Sequence, residues 1–386
     1  MQRSSERILT THAGSLPRPP ALQPLLAARD EERPYDAAAF EHEVRSAVAA
    51  VVRRQVESSI DIVNDGEESK RNFTTYVRER LAGWEARPRQ EGAPLAMIYG
   101  RDLADFPEYF AGRGNMAGRE AVCNGPLRYT GQAAIQADID RFKAALAGAS
   151  VTEAFLPAVA PGTIEHWLRN EYYPSDAAYL EAIAEAMHAE YAAIVQAGFI
   201  LQIDDPDLPD GWQINAGMSV PEYRRFAALR IEALNHALRD LPPERVRFHM
   251  CWGSYHGPHK YDIPLKEIVD LVLSVRAEAY SIEASNPCHE HEWQVWEDVK
   301  LPAGKILIPG VVGHATDFIE HPELIAQRLG RYARLVGREN VIAGTDCGLG
   351  PRVGHPEICW AKFTALAEGA RLATQQLWQP AAAARG

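Results

Sequence analysis

His249-Met250-Cys251 sets an imidazole and a thiol two residues apart, and on an extended strand such side chains point to the same side. Two more donors stand at the ends of later apolar runs: Glu283 in Tyr280-Ser281-Ile282-Glu283-Ala284-Ser285, and Cys347 in Gly344-Thr345-Asp346-Cys347-Gly348. One imidazole, one carboxylate and two thiolates form a tetrahedral, borderline-soft donor set that suits Zn²⁺. A lone His-x-Cys carries little weight, because free cysteine is a common small core residue. Four donors, each at a strand end, carry much more. Coordination deprotonates a thiol outright, so the chemistry such a centre offers is a nucleophilic thiolate at neutral pH.

Donors so far apart in sequence need a scaffold that gathers strand ends. Nine apolar runs end in polar, glycine-containing residues: Ile8 to Ser15, Ile60 to Glu67, Val122 to Tyr129, Ala154 to Gly162, Phe199 to Pro206, Val246 to Gly253, Ala279 to Ser285, Ile306 to His314 and Val341 to Gly348. Helical patterns separate them. The clearest, Asp176 to Gln196, repeats Leu180, Ile183, Met187, Tyr191 and Ile194 at three- and four-residue steps, with Ser175 or Asp176 to cap it and Gly198 beyond its end. Another begins after Asp36, and others start near Val220, Pro264, Pro322 and Pro356. Alternation of this kind predicts an α/β fold: a single (β/α)8 TIM-type barrel with insertions, one of the nine runs lying outside the ring. No composition shift divides the chain, so residues 1–386 are expected to form one catalytic domain with an insertion around 68–120.

The 386 residues are 46% hydrophobic and 24% charged, which excludes disordered and collagen-like architectures. A formal charge of −12 with no basic patch argues against nucleic acid and anionic lipid as partners, and no run approaches a membrane span. Five cysteines, with nothing resembling a secretory signal before Thr10-Thr11-His12, favour reduced thiols and a cytoplasmic location. Composition leaves the oligomeric state open.

His249-Met250-Cys251, Glu283 and Asp346-Cys347-Gly348 resemble the zinc-ligand motifs of the cobalamin-independent methionine synthases. The resemblance extends to His12-Ala13-Gly14-Ser15-Leu16-Pro17, Asp65-Gly66-Glu67, Leu201-Gln202-Ile203-Asp204-Asp205-Pro206 and Pro309-Gly310-Val311-Val312. It covers nearly the whole chain, but only the catalytic half of full-length synthases. It implies a zinc-dependent methyl transfer from methyltetrahydrofolate or another donor to homocysteine or a related thiol. Because two thiolates and an imidazole already satisfy a soft metal, Glu283 is the ligand expected to loosen when the substrate sulfur arrives. By the same resemblance Ser15, Glu67 and Asp204 hold the amino and carboxylate groups of the thiol. Asp210 meets the folate ring, and Trp167 lies near the pterin-stacking aromatic. Relatives that add coenzyme M to epoxides, and a noncatalytic zinc- or thiol-binding barrel, are the alternative readings.

One departure bears on mechanism. The family's proposed proton-donating histidine falls at Ala315 in Gly310-Val311-Val312-Gly313-His314-Ala315, with His314 one residue earlier. A one-residue step on a strand reverses facing, so His314 can serve as the catalytic acid only if the strand bulges, for instance at Gly313. Asp204 and His256 are the other proton carriers to consider. Lys70 and Arg71 read as solvated helix charges. The run Asn286 to Glu292, with His289, Glu290, His291 and Glu292, lacks the spacing of a second metal site and reads as loop shaping the mouth with His256 and His259. His321-Pro322-Glu323 reads as a helix start, and Cys123, Cys288 and Cys359 are assigned no ligand role.

Overall fold

The computed structural model describes residues 1–88, 96–111, 119–253, 255–350 and 352–378. Eight strands build the barrel: β1 (Leu9–Thr10), β2 (Ile62–Val63), β3 (Glu153–Val159), β4 (Ile200–Asp204), β5 (Val246–Met250), β6 (Ala279–Glu283), β7 (Ile306–Val312) and β8 (Ile342–Thr345). Each hydrogen-bonds to its sequence neighbour from β2 round to β8, β8 pairs with β1, and every pairing is parallel. The ring is completed between β1 and β2 through Asp61, whose N–H donates to the Thr10 carbonyl (3.2 Å) and whose carboxylate accepts from Thr10 N (2.9 Å). Strands buried on both faces need apolar residues on both, which is why these segments read as continuous apolar runs.

The ninth run lies outside the ring. Val122 to Tyr129 belongs to a strand, Arg119–Tyr129, that pairs antiparallel with Leu81–Pro88 and parallel with Leu168–Asn170 in a separate three-stranded sheet. The expected insertion supplies one of those strands and the helices Ala96–Asp105 and Pro107–Ala111; residues 89–95 and 112–118 fall outside the described part.

Capping chemistry explains the helix boundaries. Asp36 accepts from Ala38 N and Ala39 N at the start of Ala37–Glu57, and Ser175 accepts from Ala178 N ahead of Asp176–Gln196. Gly198 follows with φ 93°, a left-handed value that glycine reaches without strain. His321 caps Pro322–Val336. The segment after Pro264 differs from expectation, because Ile268 at φ −131° divides it into a 3₁₀ turn, Leu265–Glu267, and a five-residue helix, Val269–Leu273.

The barrel interior is layered. Leu9, Ile62, Phe155, Ile200, Ala279, Ile306, Ile308 and Ile342 form a separate apolar cluster on the strands. Arg247, fully buried, lies over the Phe155 ring (3.4 Å) and donates to Gln202 Oε1 (2.7 Å), Thr11 Oγ1 (2.9 Å) and the His12 carbonyl (2.6 Å). It thus ties β5 to β4 and to the segment after β1. Alternation along β5 then carries His249 and Cys251 on the Arg247 side, one and two steps further toward the carboxyl end.

Candidate active site

The sulfur-bearing centre forms where β5 and β8 end. His249, Cys251 and Cys347 each present one ligand atom, and the three atoms lie within 4.8 Å of one another. The two sulfurs are 3.6 Å apart, close to the roughly 3.8 Å expected for two thiolates about 2.3 Å from one tetrahedral ion. His249 stands opposite Ser281 in the β5–β6 register, and its Nδ1 is 3.2 Å from Ser281 Oγ, which leaves Nε2 for a metal. Such an outer contact fixes the ring and its tautomer. Ser281→Ala is therefore expected to weaken metal binding about 10- to 100-fold without removing a ligand, as measured by competition with a chelator.

The thiols are electrostatically unequal before any ion is considered. The hydrogen bond from Cys251 pushes Cys251 up and holds Cys347 well below the usual thiol range, against the opposing effect of burial on Cys347 and with help from His249 and His314. One thiolate is thus favoured in advance. Burial pulls His249 down, but Cys347 and Asp204 carry it net upward.

Glu283, nearly fully buried, accepts from Trp252 N (3.0 Å) and Asn286 Nδ2 (2.9 Å), so it stands beside the Cys251 strand end. Its carboxylate groups most tightly with His314 and Asp346, whose ligand atoms also lie within 4.8 Å of one another. Asp346 accepts from Ala284 N, Ser285 N and Ser285 Oγ, and burial, then Glu283, pushes it up to about 8. His314 is 1% exposed, and neither ring nitrogen has a hydrogen-bond partner. The β7–β8 register is irregular between Gly310 and Val312, so the bulge lies at Val311 and not at Gly313.

Ser15, Glu67 and Asp204 border the same centre. Glu67 adopts φ 58°, rare for a side chain with a Cβ, and the turn is held by Asp65 Oδ1 accepting from Glu67 N (3.0 Å) and by the Glu67 carbonyl accepting from Lys70 N (3.0 Å) and Arg18 Nη2 (2.9 Å). A Cβ on Gly14 would stand 2.6 Å from Glu67 Oε1, so only glycine lets the carboxylate approach there. Asp204 accepts from Gln202 Nε2 (2.6 Å); burial pushes it up to about 7, with Glu67 adding and His249 opposing. Lys70 is a correction to the sequence reading. It is buried, donates to the Pro157 carbonyl (2.6 Å) and lies 4.2 Å from the Tyr76 ring centroid, whereas Arg71 is exposed.

Asp210 packs beside Gly253 at the end of the Cys251 segment, its Oδ1 enclosed and unpartnered; burial, then Asp207, raises it well above the carboxylate range. Trp167 stacks on His166 (4.8 Å) and borders a crevice with Val77, Leu81 and Trp84. The structure thus places Asp210 by the sulfur centre and gives Trp167 apolar and imidazole neighbours.

The histidines of the following loops are committed elsewhere. His289 bonds Asp262 (2.9 Å) and Glu292 (3.0 Å) and stacks on Trp252 (3.8 Å), while His259 bonds the same Asp262 (2.8 Å). Both rings are buried, so this pair braces the loops from within; His256 and His291 are exposed. Burial lowers His289, but its two carboxylate partners outweigh that and carry it up to about 10. A folded pKa above the unfolded value of about 6.5 contributes stability that is full below pH 6.5 and is lost as pH rises through about 10. Between pH 7 and 10, wild type should lose thermal stability that His289→Gln does not lose, as followed by paired melting curves.

Arg247, Gln202, Ser281 and Asp346 support the site, and sequence reasoning assigned none of them a role. Their signal is a polar residue at the inward phase of a barrel strand or directly beside a ligand: Arg247 precedes His249 by two, Gln202 precedes Asp204 by two and Ser281 precedes Glu283 by two.

The fold and this centre define a (β/α)8 barrel with a sulfur-rich cluster of candidate metal donors at the carboxyl ends of its strands. Residues 100–364 match the family model described as the catalytic domain of the cobalamin-independent synthase, and the chain belongs to that family. It is 23% identical over 371 residues to a methionine synthase of Thermococcus kodakarensis, covering 95% of this chain and 94% of that one. It is also 23% identical to a methionine synthase of Saccharolobus solfataricus, covering 95% of each. A B12-independent methionine synthase from Shewanella sp. W3-18-1, solved in complex with selenomethionine, superposes with a TM-score of 0.73 at 20% identity, over 96% of this chain and 99% of that one.

Proposed function

We propose that this protein is a zinc-dependent alkyltransferase that activates a small thiol, in a methionine synthase-like methyl transfer to homocysteine or a related thiol. Methyltetrahydrofolate or another small methyl carrier is the donor. The observation that carries the reading is the convergence of His249, Cys251 and Cys347, with Glu283 alongside, on the same strand ends as Glu67 and Asp204. The methionine synthase relatives support homocysteine as the thiol.

His249, Cys251, Cys347 and Glu283 would hold the ion, which supplies thiol deprotonation and a fixed sulfur position. Glu67 and Asp204 balance the substrate ammonium. As the methyl group passes to sulfur, its bonding electron pair stays on the donor atom, which needs a proton. His314 is the group proposed to deliver it, since its ring is aimed inward where Ala315 leaves the family position empty of an imidazole. Asp204, raised to about 7, is the second proton carrier at the site.

Thiol addition to an epoxide is a second reading, favoured by one observation: Lys70 and Arg18 both act on the Glu67 carboxyl, so cations as well as acids border the substrate end. The deciding experiment assays purified protein with homocysteine and methyltetrahydrofolate beside coenzyme M and an epoxide. Methionine formation is expected; product from the second pair alone would replace the first reading.

A further inference from the structure

Arg18 lies just past Ser15, with its charge beside the Glu67 and Glu68 carboxyls. Its Nη2 donates to the Glu67 carbonyl (2.9 Å) and its Nη1 is 3.4 Å from Ser15 Oγ, so the guanidinium bridges the two segments assigned to the substrate's polar end. Its Nε is enclosed without a hydrogen-bond partner, while the residue as a whole stays half-buried. Among the described residues no carboxylate oxygen comes within salt-bridge distance of it, although Glu67 and Glu68 both feel its charge. The same segment is pinned to the sulfur centre: Gly350 N donates to the Ser15 carbonyl (2.9 Å), and a Cβ on Gly348 would stand 3.0 Å from Ser15 Cβ. Burial raises the Glu67 carboxyl, Lys70 and then Arg18 oppose that, and Asp65 and Cys347 add to it, so this carboxyl links Arg18 to the sulfur centre. A fork-shaped cation, beside the Glu67 and Glu68 carboxyls but in a salt bridge with neither, therefore stands at the end of the site that also holds the acids. Guanidinium geometry matches carboxylate and sulfonate oxygens in a way that a serine hydroxyl alone does not.

We propose that Arg18 is the specificity-determining residue that holds the anionic group of the thiol substrate, a carboxylate or sulfonate, while Glu67 and Asp204 take any ammonium group. This rests on the thiol-transferase reading above, and it narrows the substrate class to thiols bearing an acid group. A thiol of equal length without the acid group leaves the guanidinium without its partner.

The test is calorimetric binding to the zinc-loaded protein, with homocysteine against 3-aminopropane-1-thiol and 2-mercaptoethanesulfonate against 2-mercaptoethanol. In wild type, the acid-bearing member of at least one pair should bind more tightly, and whichever pair shows the larger difference identifies the acid group. Arg18→Gln should weaken that member about 10- to 100-fold, the range for a hydrogen bond to a charged group, and should not weaken the partner that lacks the acid group by more than about twofold. Arg18→Lys should restore part of the loss. Equal weakening of both members, or of neither, overturns the assignment while the thiol-transferase reading stands. Failure of every thiol to bind wild type overturns both.

Discussion

Cys347→Ala should abolish stoichiometric zinc binding and lower thiol-alkylation activity by roughly a thousandfold or more, about 4 kcal/mol of transition-state stabilisation. The expectation follows from the pairing of sulfurs. Cys347 is the member of the 3.6 Å pair held toward thiolate, and it receives the influence of Cys251, His249 and His314 together. Removing it takes away a ligand and the group that Cys251 and His249 both face. Because a structural ion would also be lost, the far-ultraviolet spectrum and melting temperature must be recorded in parallel. A folded, zinc-free, inactive protein is the predicted outcome. A protein that unfolds on losing the ion would instead point to a closed structural site.

Arg247→Leu should have the largest effect on stability. The substitution leaves Gln202 Oε1, Thr11 Oγ1 and the His12 carbonyl without their donor inside the barrel. Each unsatisfied buried acceptor costs about 1–3 kcal/mol, partly offset by no longer burying a charge, so a net loss of about 3–5 kcal/mol is expected. Urea titration of the two proteins measures it directly. Gln202 also donates to Asp204 Oδ1 and the Ala13 carbonyl, so the loss should extend to Asp204 and weaken thiol binding. A variant of wild-type stability would show that the three contacts contribute nothing net.

Local chemistry made much of the architecture readable in advance. Asp36 and Ser175 cap the helices that their positions suggest, and eight of the nine apolar runs enter the barrel, because strands buried on both faces leave an unmistakable composition. What composition could not distinguish was a ring strand from a neighbour: Val122 to Tyr129 reads like the others, and only its partners Leu81–Pro88 and Leu168–Asn170 place it elsewhere. In the site, the two-residue spacing of His249 and Cys251 was legible because strand alternation is local. The grouping of His314 with Glu283 and Asp346 was not, since it is a relation among three strand ends distant in sequence. Lys70 illustrates the same limit. Its burial follows from Tyr76 and the Pro157 carbonyl closing over it, and nothing adjacent to it in sequence announces either contact.

The most direct test of thiol activation by a bound ion is a zinc-edge X-ray absorption spectrum of the purified protein, recorded before and after saturation with homocysteine. The spectrum should show zinc with sulfur scatterers from Cys251 and Cys347, gaining one further sulfur and losing an oxygen as Glu283 gives way. Absence of zinc, or an unchanged number of sulfur scatterers at saturation, would contradict the account.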